Sequence, residues 1–138
     1  MLDLKSDFGQ RVDRRLAEER IIWLTTAGSD GTPQPRPVWF LWDGDSFLIY
    51  SRPDTAKLRH IAGNPRVALN LDGDGLGGDI VVFIGEAELL ADGPKADQIE
   101  AYVNKYVKGF ERINMSAAQF AEVYSQAIRV RPVQLRGH

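Results

Sequence analysis

A chain of 138 residues, 43% hydrophobic and 26% charged, has room for one domain with a proper core and not for two comfortable ones. Its net charge of −2 offers no basic surplus for nucleic acid, and the absence of cysteine excludes disulfides, a thiolate nucleophile and cysteine-bound metal. The charged start "MLDLKSDFGQRVDRR" lacks the apolar core of a signal peptide, and no apolar run approaches the roughly eighteen residues of a membrane span, so a soluble cytoplasmic protein is expected.

Phe8, Val12 and Leu16 recur at spacing four and predict an amphipathic helix over residues 5–19. "IIWLTTA" (21–27) reads as a strand, and "GSDG" (28–31) turns it back into a second strand, "QPRPVWFLWD" (34–43). "DGD" (43–45) makes another turn before "SFLIYS" (46–51). A short helix follows, with Asp54 or Thr55 able to cap it and Gly63 with Pro65 ending it. "RVALNL" (66–71) and "DIVVFIGEAELL" (79–90) form a further strand pair around a glycine-rich loop. Residues 94–109 read as a helix, "SAAQ" (116–119) as a capping box opening another, and "AIRVRPVQL" (127–135) as the last strand. Six strands joined mainly by hairpins, with no repeated strand–helix–strand unit, predict an antiparallel barrel with peripheral helices.

Strand alternation adds a second inference. Val38, Phe40 and Trp42 face one way and Trp39 and Leu41 the other, yet both faces are apolar. Ile22 and Leu24 oppose Ile21 and Trp23 with the same result. A small barrel buries only its inside, so the outside needs a covering, from the helices or from a second copy of the chain.

Three motifs invite a functional reading that their context does not support. Gly73, Gly75 and Gly78 match dinucleotide-binding glycine spacing, but a strand rather than a helix follows, which favours a hairpin loop. His60 and His138 are the only histidines and lack spacing partners for a metal site; His60 reads as a surface residue and "RGH" (136–138) as a mobile chain end. Asp43 with Asp45, and Glu86 with Glu88, read as solvated acids. No nucleophile–base pair can be assembled.

The remaining cluster is Arg36, Ser51, Arg52 and Lys57. Lys57 falls in the first turn of the short helix, where the exposed N–H groups already make the potential positive, so a cation there is mildly unfavourable. Spacing alone admits two solvated, merely tolerated cations. It also admits an anion site, a helix start with two cations and a hydroxyl converging where a phosphate would sit, beside the aromatic run Trp39–Phe40–Leu41–Trp42. A flat ring joined to a phosphate describes a flavin-type cofactor.

The run "WLTTAGSDGTPQPRPVWFLWDGDSFLIYSRPDTAKLRHIAGNPRVALNL" resembles the first half of the pyridoxamine 5'-phosphate oxidase-like split β-barrel superfamily. Strand, "DGTPQ" turn, "PVWF" strand, strand ending "YS", spaced lysine and helix ending "NP" follow in its order. The short "RPDTAK" segment is most similar to the actinobacterial branch that uses the deazaflavin coenzyme F420. The resemblance implies a single six-stranded antiparallel split β-barrel domain over residues 1–138, with peripheral helices, forming a homodimer with cofactor sites at the interface. It implies phosphate binding by Lys57 with Ser51 and Arg52, and a cofactor ring lying along Arg36, Pro37, Val38 and Trp39. No motif matches the oxidases' substrate-phosphate segment, since "RGH" comes too late, so pyridoxamine phosphate oxidation is not expected. The expected reaction is hydride transfer from reduced deazaflavin to a conjugated small-molecule acceptor, with no catalytic side chain nominated, because proximity to the cofactor supplies most of the acceleration. Alternatives are an FMN oxidoreductase using the same pocket and a non-catalytic F420-binding or storage protein.

Overall fold

Ser6 opens the first helix, α1 (Asp7–Glu18), by accepting a hydrogen bond from Gly9 N–H at 3.0 Å. The structure, a computed structural model, describes residues 2–138. Val12 and Leu16 of α1 are fully buried and Phe8 packs beside them, as their spacing predicts. Strands β1 (Ile22–Ala27), β2 (Pro33–Val38), β3 (Leu41–Trp42) and β4 (Phe47–Ser51) follow, then α2 (Ala56–Gly63), β5 (Arg66–Asn70) and β6 (Val81–Leu90). A 3-10 turn (Ala96–Gln98) leads into α3 (Glu100–Arg112), then α4 (Ala117–Val123) and β7 (Gln126–Gly137). Thr55 occupies the cap position of α2 without capping it through its side chain. The capping box at α4 forms, with Ser116 Oγ accepting from Gln119 N–H at 3.1 Å and Gln119 Oε1 from Ser116 N–H at 2.8 Å.

The strands form one antiparallel sheet in the order β2-β1-β5-β6-β7-β4-β3. Its two edges, β2 and β3, are consecutive in the chain, so the sheet curls until only Trp39 and Phe40 separate them. Alternate residues of an antiparallel strand aim their N–H groups to opposite sides. Pro33, Pro35 and Pro37 therefore withhold three donors from the side of β2 away from β1, and that edge cannot complete a ladder with β3. This is a split barrel. Opposite the split, β7 carries one extra residue near Val133 where Ile84 pairs with Gln134 and Gly85 with Pro132. A Cβ on Gly85 would lie 2.8 Å from Arg131 O, so the bulge requires glycine there.

Seven strands among the described residues replace the expected six, because residues 34–43 do not make one strand. The cause lies in α3. Phe40 N–H donates to Tyr106 Oη at 2.7 Å, and Phe40 O accepts from Lys105 Nζ at 3.0 Å and from Tyr106 Oη at 3.0 Å. With its backbone groups satisfied by side chains, Phe40 leaves the sheet, and the chain crosses from one edge to the other. Tyr106 Oη also reaches Arg20 O (2.8 Å) and Lys105 Nζ reaches Leu16 O (3.2 Å), so one turn of α3 ties the end of α1 to this corner. Tyr106 itself has non-helical dihedrals and kinks α3 there. The "RGH" segment is a second correction: it extends β7, with His138 N–H donating to Ile80 O at 3.1 Å and Ile80 N–H to His138 O at 3.0 Å.

Two apolar clusters result. The barrel interior holds Val38, Phe40, Phe47 and Phe83 with Leu58 and Ile61 of α2, which plugs one end. The outer cluster holds Leu48, Tyr50 and Ala127 of the sheet against α3 and α4, with Trp39 and Leu41 packed on it. The predicted division of residues 38–42 between two faces is therefore observed.

Lys105 sits 3.6 Å from the Phe40 ring centroid, and burial, followed by the Arg20 charge, pushes its pKa from 10.5 down to about 8. Between those values the unfolded chain binds more protons than the native one, so this group makes stability rise with pH; below pH 8 it contributes no slope. Tyr50 works oppositely: burial raises its pKa from 10.0 to about 12, so stability falls once the unfolded chain ionises. Thermal unfolding midpoints are expected to climb from pH 8 towards 10 and fall beyond it, and Lys105→Met should flatten the climb. An unchanged climb in that variant would remove Lys105 from the account.

Candidate functional site

The end of β2, the end of β4, the β4–α2 turn and α4 enclose a cleft of about 300 Å³. Pro37, Val38 and Trp39 form one wall because the strand runs past the cleft before turning at Phe40. Tyr50, Ser51, Arg52, Thr55 and Lys57 form the second wall, and Ile113, Phe120 and Tyr124 the third. Thr55 and Lys57 also line an adjoining hollow of about 380 Å³, with Gln34, Arg36 and His60. Two regions therefore share one boundary: an apolar, aromatic cleft and a cationic hollow.

Among the described residues the cations at the boundary lack partners of opposite charge. Ion pairs among the described residues join Arg11, Arg15, Glu19 and Asp79, and none involves Arg36, Arg52 or Lys57. Lys57 is half-buried in the first turn of α2, and its pKa is held below the usual lysine value, first by burial and then by Arg36. Two like charges facing each other, one of them partly desolvated, favour an anion between them. A phosphate fits that donor set, and the apolar cleft beside it fits a planar ring.

The hydroxyl of Ser51 has another occupation. Ser51 is 1% exposed, donates to Arg52 O at 2.9 Å, and lies 3.0 Å from Thr55 Oγ1. These two hydroxyls rigidify the turn that carries Arg52 and leads into Lys57. Their first service is positioning.

Trp39 also departs from the simple expectation of a flat wall. Its indole stacks on Tyr106 (4.4 Å, 4°) and on Phe120 (5.1 Å, 14°). Phe120 in turn stacks on Tyr124 (4.5 Å, 17°), and the Arg52 guanidinium lies 5.2 Å from the Tyr124 ring centroid. The cleft is thus bordered by a ladder of four near-parallel rings ending in a cation. Gly109 makes room for it, since a Cβ there would meet Trp39 Cη2 at 2.9 Å.

Of the residues singled out in the sequence, the fold brings Pro37, Val38, Trp39, Ser51, Arg52 and Lys57 to the cleft and Arg36 to the adjoining hollow. Phe40 and Trp42 instead fill the barrel interior. The sequence reading missed Ile21, Tyr50, Thr55, Ile113, Phe120 and Tyr124 as lining residues. Phe120 and Tyr124 carry only an i, i+4 apolar signal, which is indistinguishable from core packing until α4 is docked. His60 is half-buried, not free at the surface, with Nδ1 2.9 Å from Thr26 Oγ1. Glu86 stands opposite Arg66 and Arg131, and Glu88 opposite Arg129, so neither carboxylate faces another.

A family model described as pyridoxamine 5'-phosphate oxidase matches residues 8–138. No curated protein matches the chain in sequence. Among solved structures, a candidate pyridoxamine 5'-phosphate oxidase from Listeria innocua is 20% identical with a TM-score of 0.67, covering 92% of this chain and 94% of that one. A heme storage protein from Vibrio cholerae gives 14% and 0.67, over 96% and 95% of the two chains. These two share the fold. An F420 reductase is 26% identical with a TM-score of 0.62, over 89% of this chain and 94% of its own.

Proposed function

The chain belongs to the pyridoxamine 5'-phosphate oxidase family, and from that membership we propose that it is a cytoplasmic, coenzyme F420-dependent reductase of the actinobacterial type. The observation that carries the reading is the Arg36–Lys57 cation pair, without a carboxylate partner among the described residues, at the mouth of an aromatic cleft. Lys57 and Arg36 would hold the cofactor phosphate, with Arg52 beside them and Ser51 and Thr55 fixing their turn. Pro37, Val38 and Trp39 would border the ring. The cofactor supplies hydride transfer when bound; the protein excludes water with its apolar wall and orients a conjugated acceptor.

Two observations weigh against the nearest alternatives. No histidine, cysteine or methionine lines the cleft among the described residues, and its two tyrosines have other occupations, Tyr50 Oη donating to Pro94 O and Tyr124 stacking between Phe120 and Arg52, which argues against heme ligation there. The "RGH" segment lies at the far end of β7 from Gln126, which pairs with Ser51 beside the cleft. At about 3.3 Å per residue that places it roughly 30 Å away, so within one chain it cannot serve as a substrate-phosphate clamp for pyridoxamine phosphate.

Cofactor choice is the decisive test. Both F420 and FMN carry the phosphate, but the deazaflavin continues into a lactyl–oligoglutamate tail. Gln34 and His60 of the cationic hollow also line a further hollow with Arg59, which extends the path beyond Lys57. Arg129 takes no part in it, lying opposite Leu48 and Glu88 on the sheet. Exposed charge pairs contribute about 0–1 kcal/mol each, so F420 should bind moderately tighter than FMN and lose that margin with salt. Parallel fluorescence titrations check this. FMN binding at least as tightly at low salt would replace the F420 reading with the FMN one. Tight F420 binding without reduction of any conjugated acceptor would make the chain a storage protein.

A homodimer belongs to the same proposal. Helices α3 and α4 cover the face carrying Leu48 and Tyr50 but leave Trp23, Ala68, Val82 and Ile84 half-exposed on the outer side of β1, β5 and β6. Ile21 and Pro37, adjoining that side, line the cleft, so a second copy seated there would border the site. Sedimentation at low micromolar concentration is expected to report a dimer; a chain-sized species alone would overturn it.

A further inference from the structure

We propose that Arg52 is a latch on the cleft, covering the outer face of Tyr124 and yielding it to a planar ring when the ligand's anionic group draws the guanidinium towards Lys57. This deepens the reading of the cleft as a phosphate-plus-ring site and rests on it. Phe120 occupies one face of Tyr124 at 4.5 Å, so the guanidinium, 5.2 Å from the centroid, takes the other. Trp39 lies between Tyr106 and Phe120, Phe120 between Trp39 and Tyr124, and Tyr106 has half-buried Lys105 near its ring, whereas Tyr124 is closed by the exposed Arg52 side chain. The Arg52 backbone cannot follow that movement, because its carbonyl accepts from Ser51 Oγ at 2.9 Å and Ser51 is bonded to Thr55. Only the side chain swings.

The energetic order favours the switch. No carboxylate lies within ion-pair distance of Arg52 among the described residues, so in the free protein its charge rests on the Tyr124 π-face. An exposed cation–π contact is weaker than a charge-assisted hydrogen bond to phosphate. A ligand carrying both groups opens its own stacking surface, whereas a ring without phosphate must displace the guanidinium unaided.

The test is a sign inversion. On Arg52→Ala, the phosphate-free deazaflavin riboside should bind about two- to fivefold tighter, the equivalent of one lost exposed cation–π contact. Coenzyme F420 should bind about tenfold weaker, having lost a phosphate contact. A ligand-free readout accompanies it. The Arg52 Hδ resonances should be shifted upfield by the Tyr124 ring, and should lose that shift in Tyr124→Leu and on saturation with inorganic phosphate. If the riboside binds equally or more weakly to the alanine variant, or phosphate leaves the Arg52 resonances in place, the latch is wrong while the cofactor site stands. If neither compound binds the wild type, the site reading fails and the latch with it.

Discussion

Replacing Lys57 with alanine is expected to weaken cofactor binding roughly ten- to a hundredfold, from the loss of about 1.5–3 kcal/mol in a charge-assisted phosphate contact. Stability should hardly change. Lys57 stands in the first turn of α2, which itself contains no acid, and it faces Arg36 across the hollow while half-buried. Each of these is unfavourable for a cation in the free protein, so removing it costs the fold little. Lys57→Met separates charge from packing, since it retains most of the apolar stem. Titration of F420 against both variants, with thermal unfolding in parallel, gives the answer. Equal affinity for wild type and variants would take Lys57 out of the site. Equal losses of affinity and of melting temperature would make its role structural.

A pair of identical substitutions one turn apart on α3 should differ sharply in effect, only one of them destabilising the fold. Tyr106→Phe leaves the Phe40 N–H, now bonded at 2.7 Å, without a partner in a fully buried residue, and is expected to cost about 1–3 kcal/mol. Tyr102→Phe removes a hydroxyl that is itself fully buried and makes no hydrogen bond, and should be neutral or stabilising by about 1 kcal/mol. Both keep their aromatic contacts, so the difference isolates the hydroxyls. Denaturant unfolding midpoints at constant slope measure it. Equal destabilisation by the two would mean that the corner at Phe40 does not depend on Tyr106. Because Trp39 immediately precedes that corner and stacks on Tyr106, the Tyr106 variant should also weaken ring binding, whereas Tyr102→Phe should not.

What the sequence determined by itself are the properties that repeat locally. Alternation separated Val38, Phe40 and Trp42 from Trp39 and Leu41, because successive strand residues must point to opposite faces, and the fold then made the first set interior and the second part of the outer cluster. Turn chemistry made the glycine-rich segment a hairpin loop between β5 and β6, and helix-end signals put Lys57 in the first turn of α2. Tertiary structure alone decided where these pieces stop and meet. The strand from Gln34 breaks at Phe40 because Tyr106 and Lys105, more than sixty residues away, satisfy its backbone groups, and no local pattern encodes a distant donor. Ser51 turned inward for a different, local reason, its hydroxyl being engaged by Arg52 O and Thr55 Oγ1 within its own turn. The third wall of the cleft, Phe120 and Tyr124, came from a helix whose spacing reads as ordinary core. Arg36 and Lys57 became neighbours only when α2 folded over the end of the barrel. Like charges twenty-one positions apart reveal nothing until the fold fixes the distance between them.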